Sequence, residues 1–271
     1  MNQPTRAPQS DEEFWRKFLM EGDPKERAAR RIFRWLPHGP RCGLCLAPFS
    51  GAGAPLMRAL GRRQSQQSPT VCTSCFTYLE KHHGGAEVVM TFLFADVRGS
   101  TTLAERMSAD EYRLLLDRFY RTAADAIFGA DGAIDKFVGD EVVAFFIPAF
   151  IPAGHARRAV EAAVALLRAT GHDNPGGPWI PVGAGVHTGL AWMGAIGEGA
   201  RTDLTALGDT VNTAARLASA ARAGEVLVTT DAAAAAGLDT TDLERRTLEL
   251  KGKTERTEVV TLGVSSVLVT S

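Results

Sequence analysis

Apolar and polar positions change rhythm along the chain, and each rhythm predicts a different kind of element. From Asp11 to about Leu36, FWRKFLM and ERAARRIFRWL carry apolar residues at helical spacing, which predicts two short amphipathic helices broken around Gly22-Asp23-Pro24. Their Phe14, Trp15, Phe18, Ile32, Phe33 and Trp35 are expected to bury within the protein rather than in a membrane, because the polar face mixes both signs of charge. Residues 1–10 read as a disordered lead. From Pro37 to His83 the rhythm is lost and loop residues dominate, and His82-His83-Gly84-Gly85 reads as a linker.

Downstream the pattern is regular. Val88–Val97 is a nearly continuous apolar run, hence a buried strand. A helix is predicted from about Ser108 to Phe128, with Tyr112, Leu115, Phe119 and Ala123 on one side. IDKFVGDEVVAFF, residues 134–146, is two β-prone runs around Gly139-Asp140, a hairpin. An Ala-rich helix near His155–Thr170 follows, then two strands (PVGAGVHTG and LAWMGAIG), a helix at about Thr210–Arg222, a short strand EVLVT and a terminal hairpin. This order predicts an α+β fold, an α/β sandwich with a ferredoxin-like βαββαβ core extended by a C-terminal hairpin. The expected organisation is an amphipathic helical segment over 1–36, a Cys-rich module over 37–85 and the regular α+β domain over 86–265.

Charge sharpens this division. Residues 1–87 hold 13 Lys and Arg against 8 Asp and Glu, whereas the remainder is acidic, 17 against 23. An acidic main body argues against a general nucleic-acid binder, although the basic N-terminal part suits an acidic partner. No apolar run reaches the roughly 18 residues needed to span a bilayer, so no transmembrane segment is expected. The polar start and the few, clustered thiols point to the cytoplasm.

Three constellations carry chemistry. In FADVRGSTTLAE, Asp96 ends a buried strand, where a lone carboxylate is costly unless a cation or metal satisfies it. Gly99-Ser100-Thr101 then opens a helix whose amide groups suit phosphate oxygens, with Thr102 and Glu105 spaced for a capping box. Pairing of the hairpin beside the 88–97 strand would bring Asp140 to Asp96. Two carboxylates at one site call for divalent ions, and oxygen ligands beside phosphate favour Mg²⁺ or Mn²⁺. In DLTALGDTVNTAAR, Asn212 and Arg216 lie four apart on one helix face, and a guanidinium there suits phosphate.

Taken in order, FLFADVRGSTTLAE, DKFVGDEVVAFF, VGAGVHTGLAWMGAIG, LTALGDTVNTAARL and LELKGKTE resemble the catalytic domain of class III nucleotidyl cyclases over roughly residues 88–265. The resemblance implies that Asp96 and Asp140, helped by the Val97 carbonyl, hold two metal ions per active site. It implies that Lys136 and Thr205 read the purine, Asn212 orients the ribose, Arg216 stabilises the transition state and Lys251 binds the triphosphate, with Lys253 as the nearby alternative. A lysine suits adenine N1, whereas guanine prefers a carboxylate, so the implied substrate is ATP and the product cyclic AMP. In the family the metal carboxylates come from one subunit and the other set from its partner, which implies a homodimer. Glu141 departs from the pattern, since relatives usually have a small residue there. His187 in GVHTG reads as a satisfied strand histidine.

Other readings stand beside this one: a guanylate cyclase, a diguanylate cyclase suggested by VGDEVVAFF, or a nucleotide-sensing zinc module with a weak cyclase domain. Cys42-x2-Cys45 and Cys72-x2-Cys75 form two knuckles able to make a tetrahedral thiolate site. Structural Zn²⁺ is the first expectation, an iron–sulfur cluster the second, and unliganded thiols or disulfides the third.

Overall fold

The computed structural model describes residues 8–36, 40–151, 154–197, 203–250, 253 and 256–266. Its elements begin with α1 (Pro8–Met20), α2 (Pro24–Phe33), α3 (Ala54–Ala59), α4 (Thr73–Glu80), β1 (Gly84–Val97), α5 (Ser100–Arg106) and α6 (Ala109–Gly129). They continue with β2 (Ala133–Val138), β3 (Glu141–Phe146), α7 (His155–Ala169), β4 (Val182–Ile196), β5 (Asp203–Leu207) and α8 (Asp209–Ala220). The last are β6 (Val226–Thr229), α9 (Thr230–Ala235), β7 (Glu244–Leu248) and β8 (Thr257–Leu262). Two compact units share them: Met1–Val88 with Pro148–Pro152 and Leu190–Gly208, and Val89–Ile147 with Ala153–Gly189 and Asp209–Ser271.

In the first unit, Pro24 opens α2 and the Asp23 carboxylate accepts from the amides of Lys25 (2.8 Å) and Glu26 (3.2 Å), a complete N-terminal stop signal. Trp15 is fully buried and its indole N–H donates to the His82 carbonyl at 3.0 Å. Phe18 is buried too, but Ile32 and Trp35 are 65% and 84% exposed, so the expected burial of all six large residues fails at these two. α1 begins at Pro8, inside the stretch read as disordered. α3 and α4 lie where only loop was expected, and at six and eight residues they are too short for periodicity to reveal. Gly84 and Gly85 belong to β1 rather than to a linker. A Cβ on Gly85 would lie within 2.4 Å of the Met193 carbonyl oxygen, so this glycine serves a close backbone approach. β5, also unforeseen, pairs antiparallel with the end of β4 from Trp192 opposite Leu207 to Ile196 opposite Asp203.

The sheet runs β2-β3-β1-β4-β6-β8-β7, with β5 beside β4 off this path. Its order places the first strand centrally and the expected C-terminal hairpin, β7 with β8, at one edge. The two strands expected over 181–196 are a single one, because Gly189 keeps an ordinary extended backbone; a Cβ there would meet the Thr210 hydroxyl at 2.8 Å. The capping box also falls elsewhere. α5 starts at Gly99, which leaves Thr102 and Glu105 inside the helix, and the reciprocal bonds are made by Ser108 and Glu111 at the start of α6. Phe92, Phe146, Phe119 and Ile127 are fully buried and form part of the core of the second unit. α8 presses close against β4: a Cβ on Gly185 would stand 2.4 Å from the Ala218 amide nitrogen and 2.6 Å from the Ala214 carbonyl oxygen. Only glycine allows that approach, and it fixes the height of α8 above the sheet.

Candidate active site and cysteine centre

Antiparallel pairing of β1 with β3 sets Asp96 opposite Glu141, and the Val97 amide donates to the Asp140 carbonyl at 3.2 Å. Gly139 turns the hairpin with φ 60°, a conformation glycine adopts without strain. The end of β1 and the hairpin turn therefore bring Asp96, Val97 and Asp140 to one end of the sheet. Asp96 is not a lone carboxylate. Its Oδ2 is in close contact with the Arg98 guanidinium, whose Nη1 also donates to the Ser219 carbonyl at 2.9 Å. Arg98 Nε is buried without a hydrogen-bond partner among the described residues.

The cluster is short of positive charge. Burial pulls the Arg98 guanidinium down from its ordinary range, while Asp140 and Glu141 oppose that shift. Burial, then Asp140, pushes the Glu141 carboxyl up, with Arg98 working against them. One guanidinium among three carboxylates leaves an oxygen-rich, anionic donor set, which fits hard divalent ions. Glu141, the departure from the family pattern, belongs to this electrostatic group.

Two tyrosines of α6 belong to the surroundings of the cluster and were not recognised as part of the site from the sequence; Tyr120 supports the turn. The Tyr120 hydroxyl donates to the Gly139 carbonyl, and its ring stacks on Phe137 at 4.3 Å between centroids. Burial and the Asp140 charge raise the phenol pKa of both Tyr112 and Tyr120. Their spacing of eight puts them near one stripe of the helix, a signal that could have linked them to one object.

The remaining sites are distributed. Gly99 caps α5 with φ 68° and no side-chain hydrogen bond closes that helix end, which Ser100 and Thr101 begin. Lys136 lies opposite Val143 just past an irregularity in β2, with its ammonium 3.4 Å from the Asp135 carboxylate. Thr205 is on β5 opposite Gly194, in the first unit. On α8, Thr213, Ala214, Leu217 and Ala218 are buried, leaving Asn212 exposed and Arg216 half-buried. Among the described residues no hydrogen bond or ion pair joins Asn212 or Arg216 to the Asp96–Asp140 cluster. Lys251 lies outside the described residues, and Lys253 pairs with Asp209 at 2.8 Å.

His187 behaves as a satisfied strand residue. Its Nδ1 lies 2.9 Å from the Thr229 hydroxyl, and burial, aided by Lys253, lowers its pKa from 6.5 to about 4.

The four cysteines are buried and none is in a disulfide. All four sulfurs lie within 4.8 Å of one another, and Cys45 and Cys72 are 3.7 Å apart. Sulfurs placed about 2.3 Å from a central ion would be separated by roughly 3.8 Å, so this arrangement fits a tetrahedral thiolate site. Backbone amides support it: Cys72 N donates to Cys42 Sγ at 3.2 Å and Cys75 N to Cys72 Sγ at 3.5 Å. Hydrogen bonding from the other three cysteines draws the Cys72 thiol far below its ordinary range, whereas burial raises Cys42. Arg30 of α2 clasps the first knuckle through the carbonyls of Gly43 (2.8 Å) and Leu44 (2.9 Å).

A profile of the adenylate and guanylate cyclase catalytic domain matches residues 85–263, downstream of the cysteines. An adenylate cyclase of Anabaena cylindrica is 36% identical over 137 residues, covering 47% of this chain and 26% of that protein. Adenylate cyclase 1 of Rhizobium meliloti is 31% identical over 148 residues, covering 51% and 22%. The chain thus spans about a quarter of the length of these curated relatives. Among solved structures, the guanylyl cyclase Cya2 superposes with a TM-score of 0.60 at 28% identity, covering 66% of this chain and 93% of that one. The adenylyl cyclase CyaB from P. aeruginosa gives 0.58 at 27% identity, covering 68% and 98%.

The low pKa of His187 sets a testable pH dependence. Its unfolded form binds a proton below 6.5, whereas the folded one resists until about 4, so its stabilising contribution is intact above 6.5 and lost as pH falls through that window. The loss amounts to at most about 3 kcal/mol. Urea unfolding is expected to show wild type losing more stability than His187→Asn between about pH 7 and about pH 4; equal losses would contradict the assignment.

Proposed function

This chain belongs to the adenylate and guanylate cyclase catalytic domain family, and we propose that it converts ATP to 3′,5′-cyclic AMP and pyrophosphate at sites completed between two copies. The observation that carries the cyclase reading is the convergence of Asp96, Val97 and Asp140 at an under-neutralised end of the sheet. Mg²⁺ or Mn²⁺, two per site, would be held by these residues and would supply acidification of the ribose 3′-hydroxyl and neutralisation of phosphate charge. The preference for adenine rests on Lys136, a donor matched to adenine N1, and on Thr205 as the second purine contact. The alternative, guanine, would find no carboxylate at position 136.

The other roles follow from the side chains. The open amide end at Gly99, Ser100 and Thr101 receives phosphate oxygens. Asn212 holds the ribose in position. The Arg216 fork braces the charge that grows on the α-phosphate as the 3′-oxygen attacks and pyrophosphate departs. Lys251 binds the triphosphate; Lys253, the alternative, would have to exchange its Asp209 partner for phosphate. The family likeness supports Asn212 and Arg216 acting on a second copy's metals; among the described residues neither bonds to the carboxylate cluster. The tetrathiolate centre we assign to one structural Zn²⁺, on the 3.7 Å sulfur separation and the amide-to-sulfur bonds.

Two measurements test these assignments. Purified protein given ATP or GTP with Mn²⁺ is expected to form cyclic AMP faster than cyclic GMP, and Lys136→Glu is expected to shift the ratio toward GTP by about tenfold or more. A faster cyclic GMP reaction in wild type would reverse the substrate assignment. Elemental analysis is expected to find about one zinc per chain. Iron with visible absorption would replace zinc by a cluster, and metal-free protein purified without chelator would reject both.

A further inference from the structure

From Arg27 to Leu79 the sequence contains eight arginines, no lysine and no acidic residue. A divalent ion on four thiolates would return only two of those charges, so this part of the first unit stays strongly cationic. The structure divides the arginines by task. Arg30 is spent on the carbonyls of Gly43 and Leu44, Arg41 on those of Phe33 and Leu36, and Arg62 on the Glu26 carboxylate at 3.0 and 3.1 Å. These three fasten α2 to the cysteine centre. Arg31, Arg58 and Arg63 are exposed.

The same surface carries large apolar side chains. On α2, Ile32 and Trp35 are 65% and 84% exposed, and on α3 Leu56 and Leu60 are each 57% exposed. The two helices are neighbours. Leu36, just past α2, packs on Gly53 at the start of α3, while Arg62, just past α3, reaches Glu26 and lies over the Phe33 ring at 5.4 Å. Their outward residues therefore belong to one region in which arginines alternate with isoleucine, leucine and tryptophan.

We propose that this region docks on an anionic lipid surface, with the apolar side chains entering the headgroup boundary and the arginines pairing with lipid phosphates. The sequence alone argued against a membrane because α2 mixes charges, but its acids are both engaged inward. Asp23 caps the helix and Glu26 pairs with Arg62. What remains outward on α2 is cationic and apolar. An anionic bilayer complements both parts, since interfacial binding adds buried apolar area to charge attraction. A nucleic-acid backbone would satisfy the arginines but would offer nothing to Ile32, Leu56 and Leu60. No helix among the described residues is long and apolar enough to cross a membrane, so the contact is peripheral.

Cosedimentation of the full chain with vesicles tests this. Binding is expected to vesicles of phosphatidylcholine and phosphatidylglycerol in equal parts, and to be weaker by about tenfold or more on phosphatidylcholine alone or in high salt. Ile32→Ser with Trp35→Ser, and separately Arg58→Ser with Arg63→Ser, should each weaken anionic-vesicle binding by about tenfold while leaving circular dichroism unchanged. All four residues are exposed, so folding is not at stake. Equal binding to both vesicle types, no binding to either, or full binding by the Ile32→Ser, Trp35→Ser variant would overturn the proposal. So would tight binding of duplex DNA that needs Arg58 and Arg63 but not Trp35, with no vesicle binding, which would assign the arginines to nucleic acid.

Discussion

The register between β1 and β3 is the constraint on which the acidic site depends. Asp96 lies opposite Glu141, and the Val97 amide holds the Asp140 carbonyl. Side chains alternate between faces along a strand, so a slip of one residue would turn Asp96 to the opposite face. Burial holds the register: Phe92, Leu93 and Ala95 of β1 and Val142, Ala144 and Phe146 of β3 all lie in the core. Shifting the pairing would carry this whole set out of place. Apolar packing thus sets the geometry of carboxylates that Arg98 offsets in part.

That imbalance connects the fold to the chemistry. The three acids repel one another with one guanidinium drawing them together, and burial, then Asp140, raises the Glu141 carboxyl pKa against the pull of Arg98. Such a donor set suits the divalent cations that the proposed reaction calls for. Tyr120 pins the turn from α6, and the close approach of α8 at Gly185 sets the helix that bears Asn212 and Arg216.

Much of this was legible in the sequence, and the misses have physical causes. The hairpin at Gly139-Asp140, α6 and α7 are long or strongly patterned, and each was found close to its place. α3, α9 and β5 are only five or six residues long, too short for a period to emerge. Gly84, Gly85 and Gly189 were read as linker or strand break, when Gly85 and Gly189 mark close contacts that depend on distant residues. Asp96 and Asp140 stood out as acids in apolar surroundings. Arg98 did not, because its second partner, the Ser219 carbonyl, is 121 residues away. The pairing of the α2 acid was hidden in the same way, because Arg62 meets Glu26 from 36 residues away.

The central claim, that one copy's carboxylates work with another copy's helix α8, is tested most directly by mixing two inactive variants. Asp96→Ala and Arg216→Ala should each be nearly inactive alone. After subunit exchange, random pairing makes half the dimers mixed, each with one intact site, so activity should return to about a quarter of wild type. No return of activity, with exchange verified independently, would contradict the shared site.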